Sequence, residues 1–198
     1  MDGINPISGV TIRSATAEDA DDIAAVYVRS WRAAYAELLP PKALATLHEA
    51  NWARRFHSRP ESSRITLLAH TTAQVIGMVT VGPDRQDPVF GEINAIYVLP
   101  AIQGRGIGTV LLDAAITRLD SSVVRLWCAA ENARSRTFYE RRGFAPDGAT
   151  GTYEISGHRL ATVRYARQIP PDSSSPLPSC PSAAVAEPGT SAQVSTDP

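Results

Sequence analysis

Three glycines fall within five residues, Gly104, Gly106 and Gly108, with Arg105 among them. A strand-like run ending in Val98-Leu99-Pro100 precedes them and a helix-like run follows. Glycine admits positive φ and lets a ligand approach the backbone. The first N–H groups of a helix lack intrahelical partners, and with the positive end of the helix dipole they form an anion site. Arg105 adds a charge, so the natural guest is a phosphate or pyrophosphate. Two nucleotide loops are excluded. A Walker loop ends in Gly-Lys-Ser/Thr, whereas this turn continues Gly108-Thr109-Val110. A G-x-G-x-x-G fingerprint counted from Gly104 meets Thr109 where its last glycine belongs. Taken alone, the cluster also reads as a plain tight turn between strand and helix.

Other reactive side chains are sparse. Cys128 and Cys180 lie too far apart in sequence to suggest a disulfide framework or a zinc spacing. His48, His57, His70 and His158 are scattered, and no metal is expected. Cys128 sits in an apolar strand run with no base beside it in sequence, which reads as a core cysteine rather than an acylated nucleophile. From periodicity alone, Tyr139 is a core aromatic beside Phe138. Tyr27, Trp31 and Tyr35 are spaced four apart on one helical face, and on spacing alone that face packs against a sheet.

Nineteen Lys and Arg against 20 Asp and Glu leave a net charge of −1, so no nucleic-acid partner is expected. No apolar run is long enough to span a bilayer, and MDGINPISG lacks the regions of a signal peptide, so no membrane association and a cytoplasmic location are expected.

The elements that must position these residues follow from pattern. A short strand over 10–13 leads to Thr16, which with Glu18 and Asp19 resembles a capping box, and to a helix carrying Ile23, Val26, Tyr27 and Trp31. A second helix is predicted over 41–56. Strands over 64–70 and 74–82 form a hairpin, and a third over 91–100 is stopped by Pro100. A helix over 106–119, a strand over 123–130, a helix over 133–144 ending at Gly143, and a hairpin over 152–167 complete the order β α α β β β α β α β β. This predicts an α/β (α+β) fold, a mixed sheet of about seven strands with about four helices. The strands flanking the glycine-turn helix run parallel. From Pro170 onward the chain holds seven prolines and seven serines with no aromatic, Lys or Arg. Composition therefore divides the chain into a flexible N-terminus (1–9), one domain (10–168) and a disordered tail (169–198).

Gln103-x-x-Gly106-x-Gly108 after that strand, followed by Asn132, Tyr139, Gly143 and Phe144, resembles the two motifs of the GNAT superfamily of N-acetyltransferases. Ser135 stands where the family often has alanine. The likeness spans nearly the whole domain, and the element order is similar to the family fold. It implies that the fourth and fifth strands splay around acetyl-CoA. The pyrophosphate would rest on the backbone from Gln103 through Gly104, Arg105, Gly106, Ile107 and Gly108 to Thr109. The pantetheine would pair with Ile96, Tyr97 and Val98, whose N–H (Val98) would face the oxyanion. Asn132 would hold the cofactor or orient the tyrosine region. Tyr139 would protonate the leaving thiolate. Glu92, eleven residues before Gln103 and flanked by apolar strand residues, would be the base, with an ordered water or a solvent-facing Glu92 as alternatives. Tyr27, Trp31 and Tyr35 would wall the acceptor cleft. The activity implied is acetyl transfer to a primary amine of a small molecule or protein by direct attack. A non-catalytic acyl-CoA-binding module, or an enzyme taking a larger acyl-CoA, is the alternative. An exposed strand near the C-terminal hairpin offers a surface for a homodimer.

Overall fold

In the computed structural model, which describes residues 9–57 and 63–170, seven strands pair into one mixed sheet. They are β1 (Thr11–Ser14), β2 (Ile65–His70), β3 (Val75–Pro83), β4 (Gly91–Val98), β5 (Val123–Ala129), β6 (Ala145–Ile155) and β7 (His158–Gln168). Their order is β1-β2-β3-β4-β5-β7-β6, with β4 and β5 parallel and every other neighbouring pair antiparallel. Five α-helices accompany them: α1 (Ala20–Ala34), α2 (Pro41–Ala45), α3 (Glu49–His57), α4 (Ile107–Ile116) and α5 (Ala133–Glu140). The expected N-terminal and tail segments fall outside the described residues, except Gly9, Ile169 and Pro170. Ile169, which composition assigns to the tail, donates its N–H to the Ser122 carbonyl at 2.8 Å. Among the described residues no helix is long and apolar enough to cross a membrane.

Strand alternation sends adjacent side chains to opposite faces of the sheet. Leu67 joins Val79, Val81 and Ile93 beneath Ile107, Leu111, Leu112 and Ala115 of α4. The next residue, Leu68, joins Met78 beneath Ile23 and Val26 of α1. The sheet is thus sandwiched between α1 and α4, and each fully buried Leu or Val contributes roughly 1.5–3 kcal/mol. The start of α1 is fixed as its sequence suggests. The Thr16 N–H donates to the Asp19 carboxylate at 2.8 Å, and Arg13 grips the same carboxylate through two nitrogens at 2.6 and 2.7 Å.

The single helix expected over 41–56 is two helices, which raises the count from about four to five. The Thr46 hydroxyl bonds the Ala43 carbonyl at 2.7 Å, offering the backbone a competitor to the helical ladder. The resulting break lets Leu47 bury beside Trp31 and Leu39. Tertiary burial overrides the continuous pattern there.

The feature that matters most for function lies in β4. It pairs with β5 only at Gly91, Glu92 and Ile93. On its other side, Ala95 opposes Thr80 and Ile93 opposes Val81, so Asn94 is an extra, bulged residue. A bulge bends a strand and sharpens its twist. Beyond it β4 follows β3 and parts from β5, which pairs with β7 through Ala129.

Candidate active site

The parted strands leave one side of β4 without a strand partner from Asn94 to Val98. The Leu99 N–H donates to Ile76 of β3 at 3.0 Å, so by alternation the Val98 N–H points the other way, into the gap. The Val98 carbonyl is held by the Gln103 side-chain amide at 2.8 Å and by the Ser30 hydroxyl of α1 at 3.1 Å. Gln103 therefore ties the glycine turn back onto the strand, and Ser30 ties the strand to α1.

The turn takes the backbone shape that only glycine adopts easily. Gly104 and Gly106 have φ of +82° and +84°, and Gly106 immediately precedes α4. A Cβ built on Gly104 would meet nothing within 4 Å, so the space above it is open. Together the gap and the turn line a cleft of about 750 Å³. It brings together Ile96, Val98, Gln103, Gly104, Gly106, Ile107, Gly108, Thr109, Asn132 and Tyr139. Arg105 is exposed and is not part of its wall.

The far wall is α5. The Asn132 carboxamide oxygen accepts the Ser135 N–H at 3.0 Å and caps this helix, which carries Tyr139. Tyr139 packs edge-on against Phe138 and Phe144, with ring centroids 5.3 and 6.0 Å apart. Burial pushes its phenol far above the usual tyrosine range, with a further contribution from Cys128 and Tyr35. It is a neutral O–H donor at physiological pH. Cys128 is buried in the core, and burial raises its thiol to about 11. It is held as a thiol rather than a nucleophilic thiolate.

A second cleft, of about 530 Å³, opens beside β4 and contains Tyr27, Trp31, Tyr35, Glu92 and the Tyr97 ring. The spacing of Tyr27 and Trp31 on α1 and Tyr35 at its C-cap places them together, as expected, but they also pack. Trp31 is 3% exposed, its ring stacks on Tyr35 at 4.1 Å, and Tyr27 lies 4.0 Å from Trp52 and 4.9 Å from Tyr97. Burial raises the phenols of Tyr27 and Tyr97 well above their ordinary value and that of Tyr35 to about 12.

Glu92 is only 4% exposed, yet its surroundings are not the apolar ones its neighbours in sequence suggest. Its Oε2 accepts from Arg64 Nη2 at 3.3 Å, Arg85 Nε at 3.2 Å and Asn94 Nδ2 at 2.6 Å, and its Oε1 accepts from Arg85 Nη2 at 3.3 Å. The carboxylate is buried because cations and an amide replace its water.

Sequence reasoning does not find several of these residues. Arg64, Arg85 and Asn94 lie on three separate segments, and Ser30 lies on the sheet-facing side of α1, with no motif to mark any of them. Arg134 and Arg142 also line the first cleft, within the basic run ARSRTFYERR. Asp84, Trp127 and Tyr153 also line the second.

Residues 22–144 match the Acetyltransferase (GNAT) family. A probable N-acetyltransferase of Mycobacterium tuberculosis is 34% identical over 172 residues, spanning 83% of this chain and 98% of the relative. Among solved structures, a GCN5-related N-acetyltransferase from Rhodopseudomonas palustris is 27% identical with a TM-score of 0.63, over 82% of this chain and 97% of that one. An N-acetyltransferase from Thermoplasma acidophilum in complex with coenzyme A shares the fold, with a TM-score of 0.63 at 17% identity over 81% of this chain and 99% of that one.

Proposed function

The chain belongs to the GNAT family of acetyltransferases, and from that premise we propose that it transfers an acetyl group from acetyl-CoA to a primary amine by direct attack in a ternary complex. The observation that carries this reading is the pair of clefts flanking β4 where it parts from β5. One cleft ends in a glycine turn at a helix N-terminus and the other in a buried carboxylate.

The first cleft suits acetyl-CoA. Left-handed glycines, open space above Gly104 and the N-terminus of α4 offer donors to a pyrophosphate. Arg134 and Arg142 supply positive charge on the opposite wall. The edge of β4 from Ile96 to Val98 offers backbone groups to the amides of pantetheine, as an added strand would use them. Bound there, acetyl-CoA supplies the activated acyl group; the amine nitrogen forms the new C–N bond as the C–S bond breaks.

The residues then have separate tasks. The Val98 N–H points at the gap, where it meets the negative charge that develops on the acyl oxygen. Its direction is held by the donors on the Val98 carbonyl, Gln103 and Ser30. Tyr139, kept neutral by burial, gives its proton to the departing sulfur, whose thiol has an ordinary pKa near 8.5. Glu92 takes the proton that an alkylammonium, with a pKa near 10.4, must lose before it can attack. Tyr27, Trp31 and Tyr35 wall the acceptor.

The test is CoA release by the purified protein with acetyl-CoA and a panel of amines, beside Tyr139→Phe. Amine-dependent release that falls in the variant supports the reading. Acetyl-CoA binding with no release on any amine would favour a binding module, and absence of binding would remove the role of the glycine turn.

A further inference from the structure

The acceptor cleft has two unlike ends, and together they describe a molecule. One end is aromatic: the rings of Tyr27, Trp31, Tyr35, Tyr97, Trp127 and Tyr153 line it. Tyr153 is 43% exposed, a large ring left in water at the mouth, 6.3 Å from Trp31. Such a wall receives a flat apolar body.

The other end is charged, and its balance is informative. Arg64 and Arg85 both engage Glu92, and Arg125 stands 3.9 Å from Asp84. Asp84 is further occupied by the N–H groups of Gln86 and Asp87, at 2.8 and 3.2 Å on Oδ1. Of the charged groups that line this end of the cleft, Asp84, Arg85 and Glu92, the two carboxylates are backed by Arg125 and Arg64, which do not line it. Arg85 is the lining guanidinium. A molecule carrying an anion beside its amine answers both Arg85 and Glu92, whereas a simple amine or a polyamine leaves Arg85 unanswered.

The members of the Arg85–Glu92 pair are unequal. The Arg85 side chain is 67% exposed, whereas that of Glu92 is 5% exposed. Among the described residues, Oε1 of Glu92 takes its hydrogen bond from Arg85 Nη2, while Oε2 is engaged by Arg64, Asn94 and Arg85 Nε. An exposed guanidinium is held weakly and is the member free to turn. When it turns, Oε1 is the atom it uncovers.

Building on the acetyl-transfer reading above, the geometry points to a free α-amino acid with an aromatic side chain as the acceptor. Arg85 is the residue that selects it. The α-carboxylate draws the Arg85 guanidinium off Glu92 into a two-point pair. The α-ammonium then faces the uncovered Oε1 of Glu92. The side chain lies among the rings. Arg85 in this arrangement couples recognition to chemistry, since the carboxylate that identifies the substrate also clears the proton acceptor.

The experiment compares kcat/KM for L-phenylalanine, phenethylamine, L-phenylalaninamide and spermidine, read by CoA release with acetyl-CoA, in the wild-type protein, Arg85→Gln and Arg85→Lys. Thermal melts of the variants confirm folding, which the exposure of Arg85 favours. Wild type should prefer L-phenylalanine over phenethylamine and L-phenylalaninamide. Arg85→Gln should raise the KM for L-phenylalanine about tenfold or more and abolish that preference, with Arg85→Lys intermediate. Preference for phenethylamine or spermidine in the wild type would overturn the carboxylate requirement and leave acetyl transfer standing. Preference for the amide would overturn it in favour of a peptide N-terminus. Absence of CoA release with all four would overturn this acceptor class. If CoA release is also absent across the broader amine panel, the acetyl-transfer reading falls with it.

Discussion

The Gln103 side chain reaches back to the Val98 carbonyl at 2.8 Å, so the first residue of the glycine turn holds the last residue of β4. Replacing Gln103 with Ala leaves that carbonyl the Ser30 hydroxyl. Stability should fall by only about 0.5–1.5 kcal/mol. The KM for acetyl-CoA should rise several-fold, because the strand edge and the turn lose their common anchor. Adding Ser30→Ala removes the second donor and should cost about a further 1–3 kcal/mol, measurable by urea unfolding. An unchanged KM in Gln103→Ala would separate the turn from binding.

Tyr139→Phe keeps the ring contacts with Phe138 and Phe144 and removes only the hydroxyl. The melting temperature should hold while kcat drops about 10²-fold or more. Burial raises the Tyr139 pKa, so the phenol loses its proton only above the ordinary tyrosine value. The wild-type rate should therefore show no alkaline limb from this group below about pH 10. Wild-type kcat in the phenylalanine variant would assign protonation of the thiolate to solvent.

The turn and its two flanking elements were legible because each leaves a local mark: Pro100 ends the apolar run, the glycines follow, and Ile107, Leu111 and Ala115 repeat at helical spacing. The splay of β4 from β5 was visible only through family likeness. It begins at the bulged residue Asn94, which an apolar run does not betray. The setting of Glu92 was hidden for a different reason. Arg64 lies 28 residues away and reaches it because β2, β3 and β4 stand side by side, a relation fixed by register rather than by nearby sequence.

Glu92→Gln replaces the proposed proton acceptor with an amide that Asn94 and the two arginines still surround. Loss of a positioned base should lower kcat near neutral pH by about 10²-fold or more. The residual rate should climb close to tenfold per pH unit, because solvent then supplies the neutral amine, whose pKa lies near 10.4 for an alkyl acceptor. Wild type should climb less steeply. Equal slopes at equal kcat would move the base elsewhere.

Asp19 links the start of α1 to β1 through Arg13. The Arg13 guanidinium, opposed by partial burial and aided by Thr16, holds the Asp19 carboxyl well below the ordinary carboxylate range. A depressed folded pKa gives stability that is present above the unfolded value, about 3.9, and is lost as pH falls below it. Asp19→Asn should be less stable than wild type near pH 7, and the gap should narrow toward about pH 2. Urea unfolding at several pH values reads this directly. A gap independent of pH would assign the effect to the helix start alone.

Gly108 tests whether the backbone of α4 itself meets the ligand. Its position is helical and lines the first cleft, and an added Cβ would meet Phe138 at 3.5 and 3.6 Å, an ordinary contact. Gly108→Ala should therefore keep stability or raise it by up to about 1 kcal/mol. On the proposed reading the methyl group stands where a pyrophosphate would approach the N–H groups, so the KM for acetyl-CoA should rise at least several-fold. Gly106→Ala supplies the contrast. At φ +84° it should lose about 1–2 kcal/mol of stability as well as affinity. A Gly108→Ala protein that is more stable and binds acetyl-CoA as before would mean that the ligand reaches the turn through side chains, with Arg134 and Arg142 as the groups to test next.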